Sequence, residues 1–279
     1  MKVLVTGGCG FLGSHVCEYY KRKGEQVIAL DNLTKHELRR TWYNVREARN
    51  YNKEYLERLG VKIVKADIRR KWWIDTIAKD CDFIVHTAAQ PAMTISIEDP
   101  ELDFTTNVIG SFNVLEACRK YDIPVVTCST IHVYGNRINR VLREEETRFK
   151  CYPASISEKH ELLRGDLTPL HASKRSMEIY FQTYMDCYGL EAAVFRLTGI
   201  YGTRQIGGLD HGWVSNFAIR TVLGKTIWIY GTDKQVRDII YVTDVCEAID
   251  KFHYYREKGI YNIGGGLEFS ISLLSLIHI

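Results

Sequence analysis

Three of the four glycines within the first thirteen residues constrain this chain more than any other feature. Gly7, Gly10 and Gly13 stand in GxxGxxG spacing inside GGCGFLG, directly after the β-rich run Lys2 to Thr6 and ahead of a helical recurrence of Leu12, Val16 and Tyr19 or Tyr20. A strand that breaks into a glycine turn and continues as a helix leaves unpaired N–H groups at the helix start. Without Cβ atoms in the way, a pyrophosphate can approach them closely, and the helix field favours its charge. The next apolar run, VIALD at 27–31, ends in Asp31. Strand, glycine turn, helix and strand in that order open a doubly wound α/β domain.

The rhythm continues. VKIVKAD at 61–67, DFIVHTAA at 82–89, IPVVTCS at 123–129 and LEAAVFRL at 190–197 read as further strands, and 106–121 and 173–189 have the length and apolar recurrence of crossover helices. The expected fold is therefore a doubly wound, mostly parallel Rossmann sheet with helices on both faces and a smaller C-terminal α/β substrate region from about residue 200. In domain terms, 1–169 form the dinucleotide-binding domain, and 170–279 supply closing sheet and helix elements plus the substrate region, interleaved with it. In this context Asp31 is placed to accept hydrogen bonds from an adenosine ribose and to disfavour an added 2′-phosphate, so NAD is preferred to NADP. Asp67 and Ile68, after the third strand, are adenine-pocket candidates. The polar stretches at 32–60 and 136–172 interrupt the alternation; the first reads as a solvated helical face and the second as a connection that could shape a substrate mouth.

Charge excludes an obvious nucleic-acid partner: 37 Lys plus Arg against 34 Asp plus Glu leave a net +3. The cysteines are scattered without a Cys-x-x-Cys pair, as expected of free thiols in a reducing compartment. The first residues enter a core pattern directly, and no apolar run reaches the roughly 20 residues that span a bilayer. A cytoplasmic protein with no membrane partner is the expectation. His86, His132, His171 and His211 lack ligand spacing with acids or cysteines, so no metal is expected.

GGCGFLG, HTAAQ at 86–90, CSTIHVYG at 128–135, the segment holding Lys174 and QVRDIIYVTDV at 235–245 together cover nearly the whole chain. They resemble, in order, the extended short-chain dehydrogenase/reductase superfamily, particularly its NAD-dependent nucleotide-sugar epimerases and dehydratases. QPAMTISIEDP, FRLTGIYGTRQ, LDHGWV and TDKQVRD look most like the CDP-paratose 2-epimerase, or tyvelose epimerase, branch. The resemblance implies that Gly7, Gly10, Phe11, Leu12, Gly13, Asp31, Asn32, Asp67 and Ile68 hold NAD and that Ala88, Ala89 and Gln90 lie along it. Asn107 would order the central helix and nearby backbone. Thr130 would hydrogen-bond the reacting sugar oxygen, and Lys174 would bind the nicotinamide ribose and lower the pKa of a catalytic tyrosine.

That tyrosine is missing. The family pattern YxxxK has Leu170 four residues before Lys174, within LTPLHASK. His171 follows and can titrate near neutrality, although adjacent residues on a helix point about 100° apart. As a catalytic candidate it competes with an ordinary polar or core histidine. Tyr152, Tyr180, Tyr184 and Tyr188 do not restore the spacing, and Tyr134 belongs to the strand-end pattern. Two hypotheses stand side by side: an epimerase using His171, another tyrosine or a water, and a catalytically weakened NAD-binding protein.

On the substrate side, Arg237 is the leading candidate for a nucleotide diphosphate, because a guanidinium fork suits phosphate oxygens. Arg204 joins it, while Arg196 could instead lock the sheet edge to an acid. Asp210, His211 and Trp213 could frame a sugar or base, or be a loop fixed by tryptophan packing. The resemblance implies oxidation of the sugar at C2 and re-reduction on the opposite face, with 4-epimerisation of UDP-glucose the nearest alternative. Dehydration is less favoured, because Ile131-His132 follows Thr130 where many dehydratases carry two acids. A homodimer through helices near 106–121 and 173–189 is expected by resemblance. After YNIGGG at 261–266 the family continues through further elements, whereas this chain stops in SISLLSLIHI, so a shortened substrate region is an expectation.

Overall fold

The computed structural model describes residues 1–34, 45–208, 211–229, 234–266 and 270–272. Strands β1 (Lys2–Thr6), β2 (Gln26–Asp31), β3 (Lys62–Lys65), β4 (Phe83–His86) and β5 (Val125–Thr130) alternate with helices α1 (Phe11–Arg22), α2 (Val45–Arg58) and α3 (Lys71–Ala78). Between β4 and β5 run α4 (Met93–Glu98), α5 (Pro100–Phe104), a π-helical turn at Thr105–Gly110 and α6 (Ser111–Tyr121). A small hairpin of β6 (Leu142–Glu144) and β7 (Phe149–Cys151) follows, then α7 (Pro169–Tyr188), β8 (Ala192–Leu197) and β9 (Gly199–Tyr201). The chain continues through α8 (Trp213–Val222), β10 (Val236–Tyr241), α9 (Val242–Tyr255), β11 (Gly259–Ile263) and β12 (Ser270–Ser272).

Seven strands form one sheet in the order β11-β8-β5-β4-β1-β2-β3, every neighbouring pair parallel. Strands covered on both faces must be apolar throughout rather than alternating, and β4, FIVH, is buried at every position. One face packs Val3, Val5, Val27 and Phe83 against Val16 and Tyr20 of α1 and Ile249 and Phe252 of α9. The other packs Leu4, Ile84 and Val125 against Ile74 of α3, Leu115 of α6 and Phe181 of α7. Strand order reverses between β1 and β4, and in such sheets ligands bind outside the carboxyl ends of the strands at this crevice. A second sheet, β12-β10-β9, and α8 build the smaller C-terminal lobe.

The main departures from the expected elements have local causes. The run at 82–89 leaves the sheet after His86, and the helix expected from 173 begins at Pro169, where Thr168 supplies the N-cap and proline suits the first turn. The helix expected at 106–121 opens with the π-turn before α6. Arg196 locks the sheet to α7 from within: its Nε and Nη2 lie 3.0 and 2.9 Å from the two carboxylate oxygens of Glu178, and neither side chain is more than 2% exposed. Ser129 Oγ donates to the same carboxylate at 2.6 Å, so the end of β5 is anchored to the pair. All eight cysteines are free thiols. Among the described residues no helix is long and apolar enough to cross a membrane.

Candidate functional site

A cavity of about 520 Å³ runs along the carboxyl ends of β2, β1, β4 and β5 and under the C-terminal lobe. Its floor is the glycine turn. Gly7 adopts φ +68°, and a Cβ there would stand 2.7 Å from the Ala88 backbone; a Cβ on Gly13 would run into the Gly7 carbonyl. Only glycine lets the turn close this tightly against the next strand. Gly10, Phe11 and Leu12 line the same wall at the start of α1.

Asp31 ends β2 with its carboxylate held by backbone amides, Cys9 N at 3.0 Å and Leu33 N at 2.7 Å, and it faces the cavity beside Asn32. Asp67 and Ile68 complete that end. Burial would raise the Asp67 carboxyl, but hydrogen bonds from the Arg69 side chain and backbone outweigh it and hold it below the usual carboxylate range. Across the crevice, Ala88, Ala89 and Gln90 form the opposite wall. Asn107 is the staple behind them: its Oδ1 accepts Gln90 N at 2.8 Å, and its Nδ2, with two hydrogens to share, lies 3.0 Å from Gln90 O, 3.0 Å from Asp103 Oδ1 and 3.1 Å from Ser173 Oγ. The loop after β4 is thereby tied to α7 through buried groups.

At the centre of the cavity stand Thr130, Lys174 and Leu170. Thr130 Oγ1 accepts the backbone N–H of His132 at 3.2 Å, capping the 3₁₀ turn Ile131–Tyr134. With that lone pair occupied by a donor, the threonine's own proton is free to point outward. Lys174 is only 6% exposed, its ammonium 3.1 Å from the Cys128 carbonyl, and burial lowers its pKa despite Cys128, Asp103 and Glu178 nearby.

Several expected site residues are placed elsewhere. Leu170 faces the cavity, so His171, one residue on, turns away and does not line it. Its Nδ1 accepts the Thr168 backbone N–H at 3.0 Å in the N-terminal capping box of α7. None of the candidate tyrosines reaches the cavity. Tyr134 hydroxyl is buried between Asn262 and Arg196, Tyr184 bonds Glu116, Tyr152 lies on the hairpin, and Tyr180 and Tyr188 are exposed on α7. Among the described residues, no tyrosine lines the cavity at all.

Arg204 does line it, but its guanidinium is engaged. Nη1 pairs with Glu18 at 2.7 Å, Nε lies 3.4 Å from Ser14 Oγ, and the group stacks 4.3 Å from the Tyr55 ring centre. It bolts the C-terminal lobe to α1, helped by the contact of 2.8 Å between His15 Nε2 and Thr203 O. Arg237 is exposed on β10, outside the cavity wall, with Nη1 on the Val236 carbonyl. His211 and Trp213 form the far wall, Trp213 packing edge-on to Phe217 at 5.8 Å. Asp210 lies outside the described residues.

Of the lining residues that sequence reasoning did not single out, which include Asn52, Thr198 and Gln205, the titratable one is His132. His132 faces the space between Thr130 and α7, and its ring meets that of His171 at 5.9 Å. The signal was its place in the short turn that directly follows Thr130 at the end of β5.

Comparison with known proteins agrees with this architecture. Residues 3–264 match the model of the NAD dependent epimerase/dehydratase family. The chain is 34% identical over 295 residues to CDP-paratose 2-epimerase of Salmonella typhi, covering 100% of this chain and 83% of that one. It is also 34% identical over 275 residues to a putative UDP-glucose 4-epimerase of Methanocaldococcus jannaschii, covering 98% and 79%. The crystal structure of Thermus thermophilus UDP-glucose 4-epimerase in complex with NAD superposes with a TM-score of 0.76 at 30% identity, over 100% of this chain and 81% of that chain.

Proposed function

The chain belongs to the NAD dependent epimerase/dehydratase family, and we propose that it is an NAD-dependent nucleotide-sugar epimerase whose chemistry is most like that of CDP-paratose 2-epimerase. The observation that carries this reading is one continuous cavity: it joins the glycine cradle and Asp31 at one end to Thr130 and Lys174 at the centre and to the C-terminal lobe at the other.

The residues fit the dinucleotide. The turn that a Cβ at Gly13 would block leaves the α1 amides open to a pyrophosphate, and the Asp31 carboxylate is fixed at a strand end for a ribose diol. Asn32, Asp67 and Ile68 would enclose the adenine end, Ala88, Ala89 and Gln90 would run beside the middle, and Lys174 would donate to the nicotinamide ribose. When bound, NAD takes hydrogen with its electron pair from the sugar carbon and returns it.

The remaining work falls to the protein. Thr130 donates its hydroxyl proton to the reacting sugar oxygen while its Oγ1 accepts the His132 N–H that fixes it in place. The Lys174 ammonium, desolvated beside the Cys128 carbonyl, gains by contact with polar groups that enter the site. Burial by the C-terminal lobe, held down through Arg204 and Glu18, keeps the oxidised sugar from water. His211 and Trp213 would frame the nucleotide sugar on the far wall, and Arg237 would meet its diphosphate after swinging from its exposed position.

A second reading is favoured by Leu170. A chain with an aliphatic side chain at the YxxxK position is also compatible with a NAD-binding protein of weakened catalysis. Mass analysis of the nucleotide released from purified protein, followed by product stereochemistry with CDP-paratose and UDP-glucose, tests both. Inversion at one sugar carbon without accumulation of reduced NAD supports the epimerase, and bound NAD with no turnover of any sugar supports the second reading. A homodimer belongs to the same proposal: α6 and α7 pack side by side, and α7 leaves Ile179, Tyr180 and Tyr188 exposed while burying Met177, Phe181 and Met185 in the core.

A further inference from the structure

We propose that the imidazole of His132 is the group that takes the proton from the reacting sugar hydroxyl and gives it back, in a cavity that no tyrosine lines among the described residues. This rests on the epimerase reading above and names the acid/base of that site. Oxidation of a neutral alcohol needs somewhere for the O–H proton to go, and the described lining offers few groups. Asp31 and Asp67 stand at the β2 and β3 end, held by backbone amides and by Arg69 respectively. The Cys128 thiol is pushed up to about 12 by burial, against a small opposing effect of Lys174. Lys174 is a buried cation on a carbonyl oxygen. Two histidines remain, His132 and His211.

His132 is the better placed. It shares a 3₁₀ turn with Thr130, whose Oγ1 holds its backbone N–H, so one short turn sets both the hydroxyl that orients the sugar oxygen and the ring that would face it. That turn packs on α7, with His132 against His171 in its first turn. The His132 ring is exposed to the cavity, and neither of its nitrogens hydrogen-bonds to a described residue. Its edge rests against His171, which the capping box holds still, so the orientation of the ring is supported from behind. The charged and titratable groups that face it are His171 from α7 and Arg237 from β10. Burial first, then these two, lower its pKa below 6.5 and keep the ring neutral at pH 7. A neutral imidazole can accept a proton, as a general base must.

The step balances. The sugar O–H bond breaks and its electron pair forms the carbonyl, while the proton goes to a ring nitrogen and makes an imidazolium. The carbon's C–H pair leaves with its hydrogen to the nicotinamide dinucleotide. The return step reverses each transfer on the other face of the ketone, with the imidazolium giving its proton to the carbonyl oxygen.

The test uses NAD-loaded protein with CDP-paratose and UDP-glucose as probes. In His132→Gln, kcat is expected to fall on the order of 10²–10⁴-fold, the loss of a general base, with NAD affinity by calorimetry unchanged. The acid limb of the wild-type pH profile, below 6.5, is expected to vanish, and Leu170→Tyr added to His132→Gln to restore turnover. Independently of turnover, the ¹³C-histidine resonance absent from His132→Gln should titrate below 6.5 in the wild type and shift when either nucleotide sugar is added. Wild-type rate and acid limb in His132→Gln, loss of that limb in His211→Gln instead, or a His132 resonance indifferent to both sugars would overturn the proposal while leaving the epimerase reading intact. Absence of turnover by the wild type with any sugar overturns both.

Discussion

His86 ties the two strands that flank the crevice, and its protonation state makes the fold sensitive to acid in a way that can be worked out. It is 2% exposed, with Nδ1 2.7 Å from Thr6 Oγ1 and Nε2 2.9 Å from Ser111 Oγ. Ser111 Oγ donates to the Asn107 carbonyl at 2.6 Å, so towards His86 it can only accept, and Nε2 must carry the proton. Thr6 Oγ1 accepts Ala88 N at 3.4 Å and donates to Nδ1. A second proton on the ring would set a donor against a donor at Nδ1. Burial, with a smaller effect of Lys174, takes the pKa from 6.5 to about 3.

The folded chain therefore refuses a proton that the unfolded chain accepts. Stability is complete above 6.5, falls as pH drops from 6.5 towards 3, and loses nothing more from this group below that. At about pH 4.5, two units into the window at about 1.4 kcal/mol per unit, His86 alone is expected to cost about 3 kcal/mol. Urea unfolding of the wild type and of His86→Gln at a series of pH values isolates this contribution, since the variant keeps polar partners but cannot titrate. The wild-type stability should drop by about 3 kcal/mol more than that of the variant between neutral pH and about pH 4.5. Parallel curves for the two proteins would refute the assignment of a neutral, proton-refusing His86.

Asp31→Ala should weaken NAD by roughly 1.5–3 kcal/mol, the usual worth of hydrogen bonds to a charged group, as read by calorimetry; unchanged affinity would remove Asp31 from the ribose site. Gly13→Ala drives a methyl group into the Gly7 carbonyl and should abolish dinucleotide binding while costing about 1–3 kcal/mol of stability. Retained NAD binding in that variant would mean the turn is not the cradle. Arg196→Met leaves the Glu178 carboxylate without its bidentate partner and should cost about 3–5 kcal/mol, with the double variant Arg196→Met, Glu178→Leu recovering much of it. Ile179→Glu should convert a dimer to monomers in sedimentation, and an unchanged assembly would place the dimer face elsewhere.

Much of the architecture was legible because it is written in short-range patterns. The glycine turn, the acid at the end of VIALD and the apolar runs each act within a few residues, and their repetition specifies parallel strands covered on both sides. Asn107 and Lys174 stood out differently, through the resemblance of their segments to the family. The chemistry at the centre was less legible. Leu170 was visible as the departure from YxxxK, yet which neighbour faces the cavity depends on how α7 begins. Thr168 starts that helix, its phase sends Leu170 inward, and His171 is consumed by the cap.

The same holds for the charges. Arg196 and Glu178 are 18 residues apart, Arg204 and Glu18 far more, and no local pattern pairs them. Thus the chain's sequence by itself determined the sheet and the glycine turn, since these follow from periodicity and backbone conformation, and its motifs carried the resemblance to the family. Tertiary structure alone decided that Arg204 clasps α1 instead of standing free, that Tyr134, Tyr152, Tyr180, Tyr184 and Tyr188 stay out of the cavity and that His132 stands in it. Those outcomes depend on distances between segments that meet only when the helices pack on the sheet.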